Sequence, residues 1–355
     1  MKLWMRRTVT ALGCVVLAGC ANVGYYMQSI QGQLDILRRE RPITQMVASP
    51  DTPDALREKL RLALEIRAFA SDRLALPRND SYRRYADLQR PFALYNVFAT
   101  PEFSLAPVEW CFPFAGCVKY RGYFSKEEAD RYAAEMAQGG YDVFIGGVPA
   151  YSTLGWFADP VLNTFVGYPR PEFARLIFHE LAHQVVYVRD DSVFNESFAV
   201  TVEEEGVRRW LDAEGTAHDR ELYERVRERR LQFTRLVQAH RARLEALYAS
   251  DLPVGEKRAR KQALFAELDH AYEALRREWG LSGRADPWFG QRPNNALLAS
   301  VSIYTRLVPA FRTLLRQNDG NLERFYAAVR ALAALPAPER TARLDALNTQ
   351  AAALR

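Results

Sequence analysis

The strongest constraint on the fold is a segment near the middle of the chain in which two histidines stand four residues apart. Residues 173–184 read FARLIFHELAHQ. In a helix, His179 and His183 lie one turn apart on the same face, where both imidazoles can bind one metal ion, and Glu180 lies beside them. The segment therefore predicts a helix over residues 171–188 that carries two zinc ligands and a carboxylate placed to act as a general base.

A catalytic zinc site needs a third protein ligand, and the sequence offers Glu196 for this role. Residues 189–192 predict a tight connection between the first helix and a second helix over residues 193–211. With a rise of about 1.5 Å per residue, an antiparallel pair of helices brings Glu196 nearly level with His183. Glu203 lies further along the same helical face, and it is predicted either to orient a histidine or to compete as a ligand.

The amino-terminal residues have the pattern of a bacterial export signal. Three basic residues precede an apolar run over residues 8–17, which is too short to span a bilayer as a mature helix. The sequence LAGC at residues 17–20 looks like a bacterial lipobox, in which the cysteine receives a lipid and becomes the new amino terminus. The alternative is an ordinary secretory signal with a chance cysteine. We expect a signal peptide over residues 1–19 and lipidation at Cys20.

Lipidation at Cys20 predicts a protein that is anchored to a bacterial membrane and faces the periplasm. Several fatty chains hold a protein on a membrane far more firmly than one chain does. Ala21 follows the cysteine, and by resemblance to known sorting signals this residue favours the outer membrane over inner-membrane retention. Residues 20–50 are then expected to form a lipid-anchored tether that leads into a single metallopeptidase domain over residues 51–355.

The charge distribution argues against a nucleic-acid partner. The chain has 48 basic and 43 acidic residues, and three of the basic residues lie in the predicted signal peptide. The mature chain is therefore nearly neutral, and its arginines and glutamates are interspersed along predicted helices, as on solvated surfaces. The expected partners are a peptide substrate and the membrane, whereas protein partners stay unknown.

Two cysteines remain after export, Cys111 and Cys117. In an oxidising periplasm, such a close pair favours a small loop closed by a disulfide. The alternatives are two buried free thiols or half of a metal site, although the chain has no second cysteine pair that would complete such a site.

The remaining pattern predicts an α+β fold. A small mixed or antiparallel sheet over residues 82–168 is expected to pack on a mainly helical body, with the zinc helices at residues 171–211 and a further helical part at residues 219–345. The predicted helices, placed by apolar spacing and capping residues, lie at residues 56–75, 125–138, 219–279 with a break near 252–255, 296–315 and 322–335.

Gly146-Gly147 predicts a hairpin turn between two strands, residues 141–145 and 148–157. Within the second strand, residues 151–157 are predicted to be either an edge strand along which an extended peptide lies or a core strand with packed aromatic residues.

Several motifs together resemble known metallopeptidases. The sequence HELAH followed by NESFA at residues 195–199 is similar to the gluzincin metallopeptidases, which include the aminopeptidase N and thermolysin groups. Most of the chain resembles the predicted aminopeptidase lipoprotein family of proteobacteria. That resemblance runs through the lipobox and the zinc motif, and through WCFP at 110–113, KYRGYF at 119–124 and AYSTLGWF at 150–157.

The resemblance implies a zinc peptidase of aminopeptidase type that hydrolyses peptide bonds in the periplasm. One Zn²⁺ is then bound by His179, His183 and Glu196, and Glu180 removes a proton from the zinc-bound water. The chain departs from aminopeptidase N in one respect, because only twelve residues separate His183 from Glu196. The loop between the helices must be shorter than in that enzyme, so the substrate pocket of that enzyme should not be transferred.

A transition-state oxyanion needs a hydrogen-bond donor besides the metal, and Tyr304 and Tyr151 are the candidates. The competing function is a catalytically silent envelope lipoprotein that uses a degenerate metallopeptidase fold as a scaffold. The intact set of ligands and base argues against the scaffold, since a scaffold needs no general base.

Overall fold

The computed structural model describes residues 24–112, 116–281 and 292–353. The predicted signal peptide and Cys20 therefore lie outside the described residues. None of the helices in these ranges combines the length and the hydropathy that crossing a bilayer requires. The chain folds into a mainly helical body with small sheets of two or three strands, so the predicted α+β class is confirmed.

Helices make up most of the described chain. The largest apolar core lies among α3, α6, α7, α11 and α12, where Phe173, Phe198, Phe311 and Phe325 are fully buried, and it packs α6 firmly against α7. In chain order the helices are α1 (24–39), α2 (Ile43–Ala48), α3 (Asp54–Arg73), α4 (Lys126–Gln138), α5 (Asn163–Val166), α6 (Arg170–His183), α7 (Ser192–Glu214), α8 (Ala217–Ala249), α9 (Val254–Glu278), α10 (Asn295–Thr305), α11 (Val308–Gln317), α12 (Leu322–Ala333) and α13 (Ala337–Ala353).

The strands form three small sheets. The strands are β1 (Arg41–Pro42), β2 (Arg84–Ala86), β3 (Leu94–Pro101), β4 (Trp110–Phe112), β5 (Gly116–Val118), β6 (Arg121–Tyr123), β7 (Tyr141–Val148) and β8 (Val161–Leu162). One sheet has the antiparallel order β6-β3-β7, a mixed sheet has the order β1-β2-β8, and β4 pairs with β5. Helix α10 packs on β3 and β7, which places this sheet beside the helices that carry the candidate ligands.

The hairpin predicted at Gly146-Gly147 is wrong. Both glycines lie inside the continuous strand β7, opposite Asn96 and Tyr95 of β3. A Cβ atom on Gly147 would lie 2.6 Å from the ring of Phe92, so any side chain there would collide with that ring. The glycine pair therefore allows an aromatic ring to pack closely against the strand and does not form a turn.

The predicted strand over residues 148–157 is also wrong for most of its length. Residues 151–157 form an irregular segment in which Leu154 and Gly155 have left-handed φ angles of 55° and 84°. The segment is held by hydrogen bonds to the carboxylate of Asp159 instead of a strand ladder. It is therefore neither an edge strand nor a core strand.

The largest differences in helix boundaries concern two of the predicted helices. Helix α6 ends at His183 instead of continuing to residue 188, and the helix predicted over residues 296–315 is divided into α10 and α11. Pro309 accounts for the division, because it sits in the first turn of α11, where a missing N–H is harmless. The helical pair predicted over residues 219–279 is confirmed as α8 and α9.

The described part of the predicted tether is folded and not extended. Residues 24–39 form α1 and residues Ile43–Ala48 form α2. Ile36 and Ile43 are buried in the main core. The division of the chain into signal peptide, tether and one catalytic domain stays a prediction, but residues 24–48 belong to the packed body.

Candidate metal centre

Two neighbouring helices, α6 and α7, bring the candidate residues together. His179, Glu180 and His183 lie in the last two turns of α6 and are buried. The carboxylate of Asp191 caps α7, because it accepts a hydrogen bond from a backbone N–H in the first turn. Glu196 therefore lies in the second turn of α7, close to the connection between the two helices.

Asn195 fixes the connection that precedes Glu196. Its side-chain amide donates to the carbonyl of Val188 at 2.8 Å, and its side-chain oxygen accepts from the N–H of Val188 at 2.7 Å. Asparagine can make this double contact because its side chain carries both a donor and an acceptor. The two hydrogen bonds hold the loop against the first turn of α7 and so fix the position of Glu196 relative to α6.

The structure places three candidate ligands around one point. Nε2 of His179 lies 3.2 Å from Nε2 of His183, and Oε2 of Glu196 lies 3.3 Å and 3.6 Å from these two atoms. In a tetrahedral site with metal–ligand bonds of about 2.0 to 2.2 Å, neighbouring ligand atoms lie about 3.3 to 3.6 Å apart. The spacing and the donor types fit a divalent ion such as zinc, so these three buried residues could hold one.

The charges in this pocket favour a cation. Burial disfavours the charged imidazole of His179, but hydrogen bonds to Glu196 and Glu203 outweigh burial and raise its pKa to about 10. Burial also disfavours the charged carboxylate of Glu196, but His183 and His179 outweigh burial and lower its pKa to about 2. The carboxylates that stabilise a proton on His179 would equally stabilise a metal ion in its place.

Glu203 lies behind His179, on the side away from the other two ligands. Its Oε2 contacts Nδ1 of His179 at 2.8 Å and accepts from Nη1 of Arg175 at 2.8 Å. The contact to the carboxylate assigns a proton to Nδ1 and leaves Nε2 as the atom that faces His183 and Glu196. Glu203 is thus placed to orient a histidine, and Glu196 occupies the position of the third ligand.

Arg175 belongs to the same network of ion pairs, and no role was predicted for it from the sequence. Its Nε donates to Glu172 at 2.8 Å, and Arg230 of α8 donates to the same carboxylate at 2.9 Å. Burial disfavours the charged form of Glu203, but Arg175, His179 and Arg230 together outweigh burial and lower the pKa of Glu203 to about 2. The spacing of Arg175 and His179, four residues apart on one face of α6, is a signal that could have revealed this contact.

Glu180 differs from the other carboxylates in the pocket. It is buried, and within the described ranges its carboxylate makes no hydrogen bond or ion pair. Burial raises its pKa, and the nearby His179 and His183 only partly reverse that effect. A carboxylate with a raised pKa and no fixed partner can accept and return a proton near neutral pH, which is what a general base must do.

Of the two tyrosines considered as oxyanion donors, the structure brings Tyr304 to the pocket. Burial, followed by the charge of Glu196, raises the pKa of Tyr304 well above its usual value, so the phenol keeps its proton. Tyr120 feels the same two influences, and both rings pack on one apolar cluster between the sheet and α10. The ring of Tyr151 packs edge-on against Phe124, and burial and the charge of Asp159 raise its pKa. Tyr120 belongs to the motif KYRGYF, and no role was predicted for it from the sequence.

The irregular segment over residues 151–157 borders the end of α6. Gln184, the residue after the second histidine, donates to Asp159 at 3.3 Å, and Gly155 packs next to the Gln184 side chain. Trp156 follows Gly155 and is 80% exposed. An exposed aromatic side chain on a segment anchored to this helix end is available for contact with a substrate.

The cysteine pair lies next to the connection between α6 and α7. Cys111 and Cys117 form a disulfide across the two-stranded sheet of β4 and β5, as predicted for an oxidising compartment. The backbone N–H of Cys117 donates to the carboxylate of Asp190, and Gly116 packs closely against Asp190 and Arg189. The disulfide loop therefore supports the loop that joins the two helices of the candidate site.

Comparison with known proteins agrees with this geometry. The family model described as "Putative aminopeptidase" matches residues 24–344. No curated protein and no solved structure matches the chain. The family match points to a peptidase, and a buried group of possible metal ligands with an adjacent carboxylate is consistent with that activity. Because the family model covers most of the sequence, the chain belongs to the Aminopep family.

Proposed function

We propose that this protein is a zinc-dependent peptidase of aminopeptidase type, held by a lipid on Cys20 at the periplasmic side of the bacterial outer membrane. The observation that carries the enzymatic part is the buried group of His179, His183 and Glu196 with the buried Glu180 beside it. Two helical histidines and a glutamate from the next helix are the ligand pattern of the gluzincin type, to which we assign the site. The family match supports the choice of a peptide substrate.

In this proposal the residues divide the work of peptide hydrolysis. A bound zinc ion supplies Lewis-acid chemistry, which polarises a peptide carbonyl and acidifies water to a pKa of about 7. Glu180 takes the proton from the attacking water and delivers it to the leaving amine. Tyr304, with Tyr120 as its neighbour, donates a hydrogen bond to the oxygen that becomes negative in the transition state.

Glu203 and Arg175 do not contact the reacting atoms in this proposal but position one of the ligands. The carboxylate of Glu203 keeps the proton of His179 on Nδ1, so that Nε2 is available as a ligand. Arg175 holds that carboxylate in place from the other side. These two residues therefore position a ligand, and we expect them to affect metal affinity more than the chemical step.

The decisive experiment compares the purified full-length protein with its Glu180→Gln variant. The substitution keeps the size of the side chain but removes the base, so peptide hydrolysis should fall by about 10² to 10⁴-fold while zinc content stays at one ion per chain. Zinc is measured by elemental analysis and hydrolysis with a peptide library, with and without a chelator. Glu58→Gln, an exposed glutamate of α3, is the matched control and should behave as wild type.

Two results would contradict the proposal. Hydrolysis at the wild-type rate in Glu180→Gln would remove Glu180 from the mechanism. A wild-type protein that binds zinc but cleaves no peptide, or cleaves equally well with chelator, would favour the silent scaffold.

The aminopeptidase preference has its own test. Paired peptides that differ only in acetylation of the amino terminus should be cleaved when the terminus is free and spared when it is blocked. Internal cleavage of the acetylated peptide would keep the peptidase but replace the aminopeptidase by an endopeptidase.

A further inference from the structure

Helix α1 has two unlike faces. Its inner face carries Gln28, Gly32 and Ile36, which are buried against the body. Half of the large apolar side chains that are exposed in the described ranges lie on the outer face of this one helix. They are Tyr26, Met27, Ile30 and Leu34, with exposed fractions of 38%, 50%, 53% and 41%. An outer face of this kind is unusual for a helix that is covered only by water.

The exposed residues form a stripe and are not scattered. Met27, Ile30 and Leu34 follow one another at spacings of three and four residues, which keeps them on one side of a helix. Gln31 and Arg38 are exposed beside the stripe. The outer side of α1 therefore combines an apolar stripe with polar flanks, the pattern of a helix that lies in a membrane interface.

The contacts of the inner face fix the direction of this stripe. A Cβ atom on Gly32 would lie 2.1 Å from the ring of Phe124, so the helix backbone sits directly on that ring. The backbone N–H of Phe124 donates to the side chain of Gln28 at 3.0 Å. The guanidinium of Arg121 lies 4.2 Å from the centre of the Tyr25 ring. Rotating α1 to bury the stripe would break these contacts, so the stripe faces outward in the folded protein.

The position of the stripe in the chain identifies what covers it. Cys20, the proposed lipidation site, stands only four residues before the first described residue, Gly24. Four residues reach at most about 14 Å even when fully extended. Acyl chains that are buried in a bilayer therefore hold the start of α1 close to the membrane surface.

We infer that α1 lies in the plane of the membrane interface and inserts Met27, Ile30 and Leu34 between the lipids. The inference rests on the proposed lipidation at Cys20 and adds to it a second, non-covalent contact that fixes the orientation of the protein. The helix buries its apolar stripe in the acyl region, and the exposed Arg38 in its last turn and Arg41 just beyond it can meet anionic head groups. The protein then has one defined side toward the membrane and does not rotate freely on its anchor.

The test uses the full, lipidated protein in vesicles of phosphatidylethanolamine and phosphatidylglycerol. Single cysteines are introduced as Ile30→Cys or Val254→Cys and labelled with an environment-sensitive fluorophore. The labelling is selective because Cys111 and Cys117 are bonded, and because in the lipidated protein Cys14 has left with the signal peptide and the thiol of Cys20 carries the lipid. Val254 is the matched control, since it is an apolar residue with 57% exposure at the start of another helix. Both variants should hydrolyse peptide in detergent like wild type.

The inference predicts opposite results at the two positions. Nitroxide-labelled lipids should remove most of the emission from the label at residue 30 and shift its emission to the blue, whereas the label at residue 254 should stay accessible to iodide in water. Equal accessibility of both labels to iodide would overturn the inference. Protection of residue 30 from iodide without quenching by the lipids would also overturn it, because a second copy or another protein would then cover the stripe.

Two further measurements test separately the proposals of lipidation and of catalysis, so that their failure can be distinguished from failure of this inference. The mass of the amino-terminal peptide reports acylation at Cys20, and peptide hydrolysis reports the catalytic site. An acylated, active protein whose residue 30 is unquenched refutes the orientation of α1 and leaves the lipoprotein peptidase intact. A chain without acylation refutes the anchor, and the inference fails with it.

Discussion

The pairs α6–α7 and α8–α9 are built alike, as two helices joined by a short connection, yet they treat charge in opposite ways. In α8–α9 most ion pairs lie on the surface, as between Arg260 and Glu256 or between Arg243 and Glu267, and an apolar seam holds the helices together. The buried Lys261, which pairs with Asp142, is an exception. In α6–α7 the charged side chains are turned inward. Two imidazoles and three carboxylates are buried within a few turns of each other.

The comparison shows that a high content of charged residues does not by itself indicate a functional site. Surface ion pairs contribute little free energy, so a helix pair can carry many of them without any consequence for function. Burying a charge costs free energy unless the charge is paired or binds a metal. A cluster of several buried charges is therefore a candidate functional site. Burial and not the amount of charge distinguishes α6–α7 from α8–α9, and each of the following variants tests that distinction.

Loss of a ligand should have the largest effect. In Glu196→Ala the candidate centre keeps only two ligands, so zinc affinity and peptide hydrolysis should each fall by more than about 100-fold. Competition with a chromogenic chelator measures the affinity. Glu256→Ala in α9 is the control, and a comparable loss there would show that the effect is not specific to the buried pair of helices.

The next largest effect is expected from Arg175→Met. The variant leaves the carboxylates of Glu203 and Glu172 buried with fewer cationic partners, which should lower the free energy of unfolding by about 3 kcal/mol. Urea unfolding of the protein in the presence of a chelator, monitored by circular dichroism, measures this free energy. A change smaller than about 0.5 kcal/mol would mean that the buried charges do not depend on Arg175.

A smaller and more selective effect is expected from Glu203→Gln. The amide can still accept a hydrogen bond from His179 but lacks the negative charge, so zinc affinity should fall by about 10 to 100-fold. Hydrolysis at saturating zinc should recover most of the wild-type rate. If added zinc does not restore activity, Glu203 takes part in the chemical step and does more than position a ligand.

The smallest effect is expected from Arg260→Ala in α9. Its ion pair with Glu256 lies at the surface, so the free energy of unfolding should change by less than about 0.5 kcal/mol, and less still at high salt. The same unfolding assay applies. A loss as large as that of Arg175→Met would erase the contrast between the two helix pairs.

The sequence was sufficient for the local part of the candidate site. Helical spacing predicted that His179 and His183 share a face, and the short connection predicted that Glu196 comes level with them, since both depend on contacts between near neighbours in the chain. The same periodicity also links Arg175 to His179. The role of Arg175 could therefore have been predicted by the same reasoning that led to Glu203.

Other features depended on contacts that no local pattern encodes. Gly146-Gly147 has the composition of a turn, but the ring of Phe92 requires small residues in a strand at that point. Tyr120 reaches the pocket from β5–β6 only because the sheet packs beside α10. In each case a partner distant in sequence decides the outcome.

The disulfide loop has a consequence for when the protein can become active. Its bond forms only where thiols are oxidised, and it supports Asp190 in the connection that sets the third ligand beside the two histidines. In the exported lipoprotein proposed above, a newly made chain that is still in the cytosol would lack this support at the connection between α6 and α7. Under that proposal, the candidate centre would be fully supported only after export, when the chain no longer meets cytosolic peptides.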